Sequence, residues 1–397
     1  MSGVGTQGQD CGWRNWLAVV MLGVGAFVVV ATELAPIGML SGIAGDLAQS
    51  PGRTGLVVTA YAWIGALAAL AAVLTVSGWP RRPLLLGMML LLALSNGAAA
   101  ASGSFNALLA ARLLGALAHG AFWAMAATLG AQLVPARLIG RATAIIFGGV
   151  SVASVLGVPL VNVISNHAGW RAAFACLSLL ALAAGLALAI SLPRMAGGIC
   201  LRPTQLLSVL GNGELRWLYA IAAGAIVAHF AVFTYVEVLL SSRMRVSAEW
   251  VAICLFAFGA AGIAGNLLCG VLIDRCLKGM LAAALLTTAL CLLVIGSGIA
   301  QGAAAATLLA LGWGMAVSVL FVGIQAGAIR LAGDAALPAS AISAAIFNSA
   351  LGAGALAGAG VLDSWGSGAL CLSAAAIAAL CSGLVRQLRR ANAAPEN

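Results

Sequence analysis

Apolar residues in this chain come in blocks and do not alternate. Runs of about 20 residues, the length that crosses a bilayer, lie near 16–40, 54–77, 84–102, 106–131, 141–165, 170–192, 216–240, 248–272, 279–299, 303–328, 339–362 and 366–385. The breaks between them carry Pro, Gly and charge: "GWPRRP" (78–83), "VPARLIGR" (134–141), "SNHAGWR" (165–171), "DRCLKG" (274–279) and "AGDAALP" (332–338). A helix rises about 1.5 Å per residue and satisfies its own backbone polar groups, so each run spans a hydrocarbon core as a helix. Strands of a membrane barrel would be shorter and strictly alternating. The pattern predicts an all-α membrane protein of twelve transmembrane helices. The longest break, 193–215, holds Arg194, Arg202 and Glu214 and divides the chain almost in half. It reads as a cytoplasmic linker between two six-helix bundles, 1–192 and 216–397, the second ending in a short basic tail.

Composition names the same solvent. The chain is 63% hydrophobic and 7% charged, with a mean hydropathy of +1.11; soluble domains are about half apolar and about a quarter charged. Lys and Arg resist translocation. Arg14, Arg81, Arg82, Arg137, Arg141, Arg194, Arg202, Arg216, Arg275, Lys278, Arg330, Arg386, Arg389 and Arg390 fall on the side of the termini, against Arg53, Arg171, Arg243 and Arg245 on the other. Both termini are therefore expected in the cytoplasm. Topology and anionic lipid account for the net charge of +9, with no nucleic-acid partner, because the charges are spread over loops and not gathered in a groove.

Other classes find little support. The first run is too long for a signal-peptide core and no small-residue cleavage site follows it, so no cleavable signal is expected. The nine cysteines are odd in number, scattered and without a CxxC pair, which reads as apolar packing and not as disulfides or a metal site. No cofactor is expected. Neither HExxH nor GxSxG occurs, so the chain is not read as an enzyme. "GAGALAG" (352–358) lies inside a run with no strand before it, where small residues allow close helix contact.

With the breaks set aside, five ionisable groups remain at membrane depth: Glu33 on the first run, Arg112 and His119 on the fourth, and His229 and Glu237 on the seventh. Each costs a few kcal/mol in hydrocarbon unless it is paired or faces a wet cavity, so a polar interior is expected. Counting the helical rise puts Glu33 and Arg112 in the same outer third, within reach of an ion pair, His119 and His229 near the midplane, and Glu237 near the outer mouth. Glu33 and Arg112 are either a proton relay or a static pair that fixes packing. His119 is either a proton site or a substrate hydrogen-bond donor, and a satisfied core histidine is the third option. Glu237 is either a proton group or a solvated interfacial acid.

Aromatic side chains accompany these groups: Tyr61, Trp63, Phe122, Trp123, Phe233 and Tyr235. Rings beside hydrogen-bonding tips suit a small amphiphile such as a sugar or a planar drug. Gln325 and Asn348, on the tenth and eleventh runs, are candidates for further hydrogen bonds from the second half. The halves echo each other, since Thr32–Glu33 and Thr234/Glu237 occupy comparable late positions in the first and seventh runs. Parallel repetition places a site between the halves.

At this point the chain resembles the major facilitator superfamily, and within it the bacterial sugar-efflux branch of the drug/proton antiporters. The resemblance covers about 16–390 and rests on "TELAPIGML" (32–40), "YAWIGAL" (61–67), Arg112 with "AHGAFW" (118–123), Gly157 and Pro159, "GWR" (169–171), His229 with Phe233, Tyr235 and Glu237, and "FNSALGAGALAG" (347–358). It implies two pseudo-symmetric six-helix bundles, alternating access, and a monomer in the bacterial inner membrane. It further implies export of a small sugar of arabinose or thiogalactoside type against protons, with drugs of chloramphenicol type or nucleosides as the alternative cargo. Coupling would then fall to Glu33, Arg112, His119 and Glu237, and gating to Pro36, Gly157, Pro159, Asp274 and Arg275. The chain departs from the family pattern in "SGWPRRP", which lacks the acid that Asp274 supplies in the second half, and at Val161, Asn162 and Val238.

Overall fold

The computed structural model describes residues 12–135, 138–197 and 200–388. The first half contains α1 (Trp13–Leu34), α2 (Leu40–Asp46), α3 (Pro51–Thr75), α4 (Arg81–Ala100), α5 (Phe105–Leu133), α6 (Ile139–Val152), α7 (Val158–Ala168) and α8 (Trp170–Ser191). After α9 (Pro203–Val209) in the linker come α10 (Gly213–Phe233), α11 (Val236–Ser242), α12 (Ala248–Ser297), α13 (Ala303–Ala332) and α14 (Ala336–Leu384). Among the described residues eleven apolar stretches are long enough to cross a bilayer, and the last, Ala336–Gln387, is 52 residues long. At about 1.5 Å per residue that is more than two hydrocarbon thicknesses. It bends at Gly366, whose φ of 80° and ψ of 176° lie outside the helical region and suit a residue without a Cβ. Two crossings in that stretch make twelve among the described residues, the two parts of α12, broken at Cys276, being already counted separately among the eleven.

Local chemistry sets the helix starts. Ser50 caps α3, its hydroxyl accepting from the Arg53 amide at 3.1 Å with Pro51 in the first turn. Asn212 caps α10 by accepting from the amides of Glu214 and Leu215. Each relieves amides that a helix start leaves without partners. The turn 39–51 and Gly366 lie at one end of the bundle, called here the far side. Linker residues lie at the other, the linker side, where the Arg81 amide donates to the Met195 carbonyl and Asn212 donates to Leu331. Arg137, Arg389 and Arg390 lie outside the described residues.

Each half has its own apolar core. Leu22, Val29, Met89, Phe122 and Leu188 belong to the first, and Ile221, Leu285, Leu320 and Cys371 to the second. The second core reaches across to Ile37, Leu40, Val58, Ala62 and Val158 of the first half. The outer faces of the bundle expose Leu179, Leu186, Ile190, Leu267 and Leu308, as expected where lipid is the solvent.

Candidate functional site

α1 does not run straight to its end. A 3-10 turn, Ala35–Gly38, follows Leu34 with Pro36 inside it, and the Asn162 carboxamide donates to the Gly38 carbonyl at 2.7 Å. Asn162, one of the departures from the family pattern, thus ties the break in the first crossing to α7. Facing that break, the fifth crossing passes through a π-helical turn, Ala153–Gly157. Pro159 has no N–H to give the turn before it, and a widened turn is one way for a helix to absorb that loss. A Cβ on Gly157 would meet Ala31, and one on Gly259 of α12 would strike Ser154 and Val155. The turn is therefore packed between the two halves, with bare backbone as the contact surface.

Inside this frame the charged groups are arranged differently from the expected pair. Arg112, fully buried, donates from Nη2 to the Thr32 carbonyl at 2.8 Å. Its guanidinium lies 4.2 Å from the Tyr61 ring centroid and 5.4 Å from that of Phe174. Among the described residues Arg112 and Glu33 form no ion pair within contact distance; the arginine acts on Glu33 only as a neighbouring charge. Glu33 instead approaches His119, Oε1 to Nε2 at 3.6 Å. The guanidinium is drawn off by a carbonyl and two ring faces, which desolvated cations favour. Asn96 donates to Thr32 Oγ1 at 3.1 Å and closes the cluster.

His119 is the link to the other half. Tyr61 and Trp123 pack edge-on against its ring, and Asn348 of α14 faces it across the seam. Asn348 donates to Ala344, and its carboxamide oxygen and His119 Nδ1 have no hydrogen-bond partner at bonding distance among the described residues, while Glu33 Oε1 has only the 3.6 Å approach of His119. Buried polar atoms from both halves with bonding capacity to spare thus lie together here, which suits a polar guest. Trp63 also straddles the seam. Its indole N–H donates to the Ser349 carbonyl at 3.1 Å, and its ring fills the space beside Gly352.

The remaining sequence candidates occupy other surroundings. Phe122 packs in the first-half core beside Gly25, edge-on to Trp123. His229 sits in a box of rings. Phe233 and Phe258 stack on it at 4.9 and 6.0 Å, and Phe230, Trp313 and Phe321 meet it edge-on. Only Phe233 of those five was singled out from sequence; the others come from an adjacent residue or from α12 and α13. Beside the box lies a small apolar cavity of about 20 Å³, bordered by Phe233, Phe258 and Trp313, which is room for about one water. Tyr235 donates to the Ala355 carbonyl at 2.8 Å. Glu237 accepts from the Ser41 amide at 2.8 Å, apart from the Glu33–His119 contact. Gln325 is exposed on the linker-side part of α13. The side chains of Asp274 and Arg275 lie outside the described residues. Among the described residues no group of three His, Cys, Asp or Glu is placed to hold a metal ion.

Comparison with known proteins agrees with this architecture. A family model described as Major Facilitator Superfamily matches residues 22–359. Among solved structures, the chain is similar to the crystal structure of the human organic anion transporter MFSD10 (TETRAN), at 19% identity and a TM-score of 0.67. The match covers 94% of this chain and 99% of that one. At that identity the likeness is one of fold.

Proposed function

Because the chain belongs to the major facilitator superfamily, a family of membrane transporters, we propose that it exports a small sugar or sugar-like compound in exchange for inward-moving protons. The observation that carries this reading is the Glu33–His119 contact at 3.6 Å, set beside Arg112 and facing Asn348 across the seam. A buried carboxylate with an imidazole at that distance, just beyond direct hydrogen-bond reach, passes a proton once the two close up or one water bridges them, and the polar atoms around it take a hydroxylated guest. In this scheme a proton from outside neutralises Glu33 and loosens its hold on His119. The bundle then favours the rearrangement that returns the empty site inward, the two halves rocking about the seam.

The parts follow from that scheme. Residues 1–192 and 216–397 move as the two bodies, 193–215 is the cytoplasmic linker, and both termini face the cytoplasm of a bacterial inner membrane. The working unit is a monomer. Tyr61, Trp123, His119 and Asn348 border the guest, and Pro36, Gly157 and Pro159 let the first and fifth crossings flex at the seam. A second reading, export of a planar drug of chloramphenicol type or a nucleoside, draws on the ring box of Phe233, Phe258, Trp313 and Phe321 around His229.

Inside-out vesicles with an acid interior test both. Labelled arabinose, a thiogalactoside, chloramphenicol, a nucleoside and an organic anion, the class named for the human structure, are offered outside. Uptake of a sugar that collapses with an uncoupler and with Glu33→Gln is the expected result. Uptake of chloramphenicol or the nucleoside alone selects the second reading, and gradient-driven uptake untouched by Glu33→Gln removes the coupling assignment.

A further inference from the structure

On the far side the seam is held by two carboxylates, both from the second half and both bonded to the first. Glu237, in the first turn of α11, accepts the Ser41 backbone N–H at 2.8 Å. Asp363, three residues before the bend at Gly366, accepts the Ser50 hydroxyl at 3.0 Å. The Asp363 carboxylate also lies directly over Gly52, where any Cβ would strike it. Ser50 is the cap of α3, so this carboxylate stands at the start of a 25-residue helix, where the aligned peptide dipoles favour negative charge. Between the two, the Tyr235 hydroxyl fills the space that a side chain at Gly55 would need.

Among the described residues neither acid has a cation within ion-pair distance. The ion pairs among the described residues are His119–Glu33 and Arg171–Asp46. Of the other cations at this end, Arg53 lies over the Phe105 ring at 5.6 Å, Arg171 also donates to the Ser102 carbonyl, Arg243 donates to Ile295 and Gly296, and Arg245 is exposed and forms no ion pair with either acid among the described residues. Tyr235 is the titratable neighbour of Asp363, and its hydroxyl is engaged with Ala355. The donors to the two acids are therefore a neutral amide and a neutral hydroxyl. A hydrogen bond to an ionised carboxylate is roughly twice as strong as one between neutral partners. Protonation removes that advantage, and no arginine holds the charge in place. Asp363 is exposed and Glu237 half-buried, so protons from the far side reach both.

We propose that Glu237 and Asp363 are positioning residues of the transport cycle: ionised, they hold the far-side seam shut, and protonated, they release it. The proposal stands on the two-body rocking of the family and needs neither the sugar nor the Glu33 assignment.

The test uses full-length protein in nanodiscs with the nine native cysteines replaced and spin labels on Gly45→Cys and Gln301→Cys, one on each half at the far side. The distance distribution is read at about pH 7 and about pH 3.5, a range that spans the ordinary carboxyl values near about 4. The background is Glu33→Gln, so that the acid of the coupling scheme, whose protonation favours closure on this side, does not titrate. In that background the long-distance population is expected to rise about threefold or more on acidification, a shift within the reach of one lost hydrogen bond. With Glu237→Gln and Asp363→Asn added, that population is high at both pH values, and each single addition falls between. A Glu33→Gln background without a pH response refutes the latch, as does a triple variant that still responds to pH or stays closed at both values.

Discussion

His119 Nε2 stands 3.6 Å from Glu33 Oε1, while the arginine expected to neutralise that acid bonds the carbonyl one residue before it. Glu33 and His119 thus form the unit, and Arg112 supplies a field. Groups that act as a unit give non-additive losses. Glu33→Gln and His119→Gln are each expected to cut gradient-driven transport by about tenfold or more, with the double variant no worse than either single one. Initial rates in energised vesicles check this. Losses that multiply would mean two independent sites.

Arg112 has a structural duty that lysine cannot take over. One N–H reaches Thr32 while the planar group lies on Tyr61 and Phe174; an ammonium offers neither the fork nor the flat face. Arg112→Lys is expected to cost about 1–3 kcal/mol, the scale of a lost charge-assisted bond with its partner left buried. Tyr61→Phe keeps the ring and gives up only a long bond to Gly115 at 3.4 Å, so its cost is under about 1 kcal/mol. Thermal unfolding of the two purified variants in one detergent gives the ranking.

The difference between the expected and observed partners of Glu33 shows where sequence reading stops. Run length and charge bias carry the crossings, because hydrocarbon thickness and backbone satisfaction leave few choices. Helical rise also sets depth, and Arg112 does lie level with Thr32. Rise says nothing about rotation, however. A helix apolar all round, as α5 and α12 are, carries no stripe to show which way Arg112, His119 or Phe258 turns. The rings around His229 come from α10, α12 and α13, and only the packed bundle brings them together. Asp363 was invisible for another reason. It sits at the end of the 339–362 run, where an acid looks like any interfacial residue, and its partner Ser50 is 313 positions away.

A third prediction concerns pH on the far side. The Arg171 guanidinium and the Trp170 indole, which donates to Asp46 Oδ2 at 3.1 Å, hold the Asp46 carboxyl below its ordinary range. A carboxyl depressed on folding contributes stability that is complete above its unfolded value, near about 3.9, and is lost as pH falls through the folded value below that. The contact is therefore expected to be intact at neutral and mildly acid pH and to fail only in strong acid. Asp46→Asn removes that dependence. Midpoints of thermal unfolding for both proteins, measured from about pH 7 down to about pH 3, should differ by a constant amount until the acid end and then converge. A gap that closes already near neutral pH would assign the effect to another group.

The last prediction turns on two glycines of the same half. A Cβ on Gly120 would strike backbone atoms of Gly65 and Ala69 on α3, whereas one on Gly87, exposed on α4, meets nothing within 4 Å. Backbone cannot rotate away as a side chain can, so Gly120→Ala must push α5 off α3, at a cost of about 1–3 kcal/mol. Gly87→Ala adds a better helix former in open space and is expected to leave stability unchanged or raised by up to about 1 kcal/mol. The consequence reaches the site, because His119 is the residue next to Gly120 and its reach to Glu33 depends on where α5 lies. Gly120→Ala should therefore lose gradient-driven transport more steeply than downhill exchange, while Gly87→Ala loses neither. Equal loss of both modes in Gly120→Ala would mean that the close approach of the helices supports the fold without positioning His119.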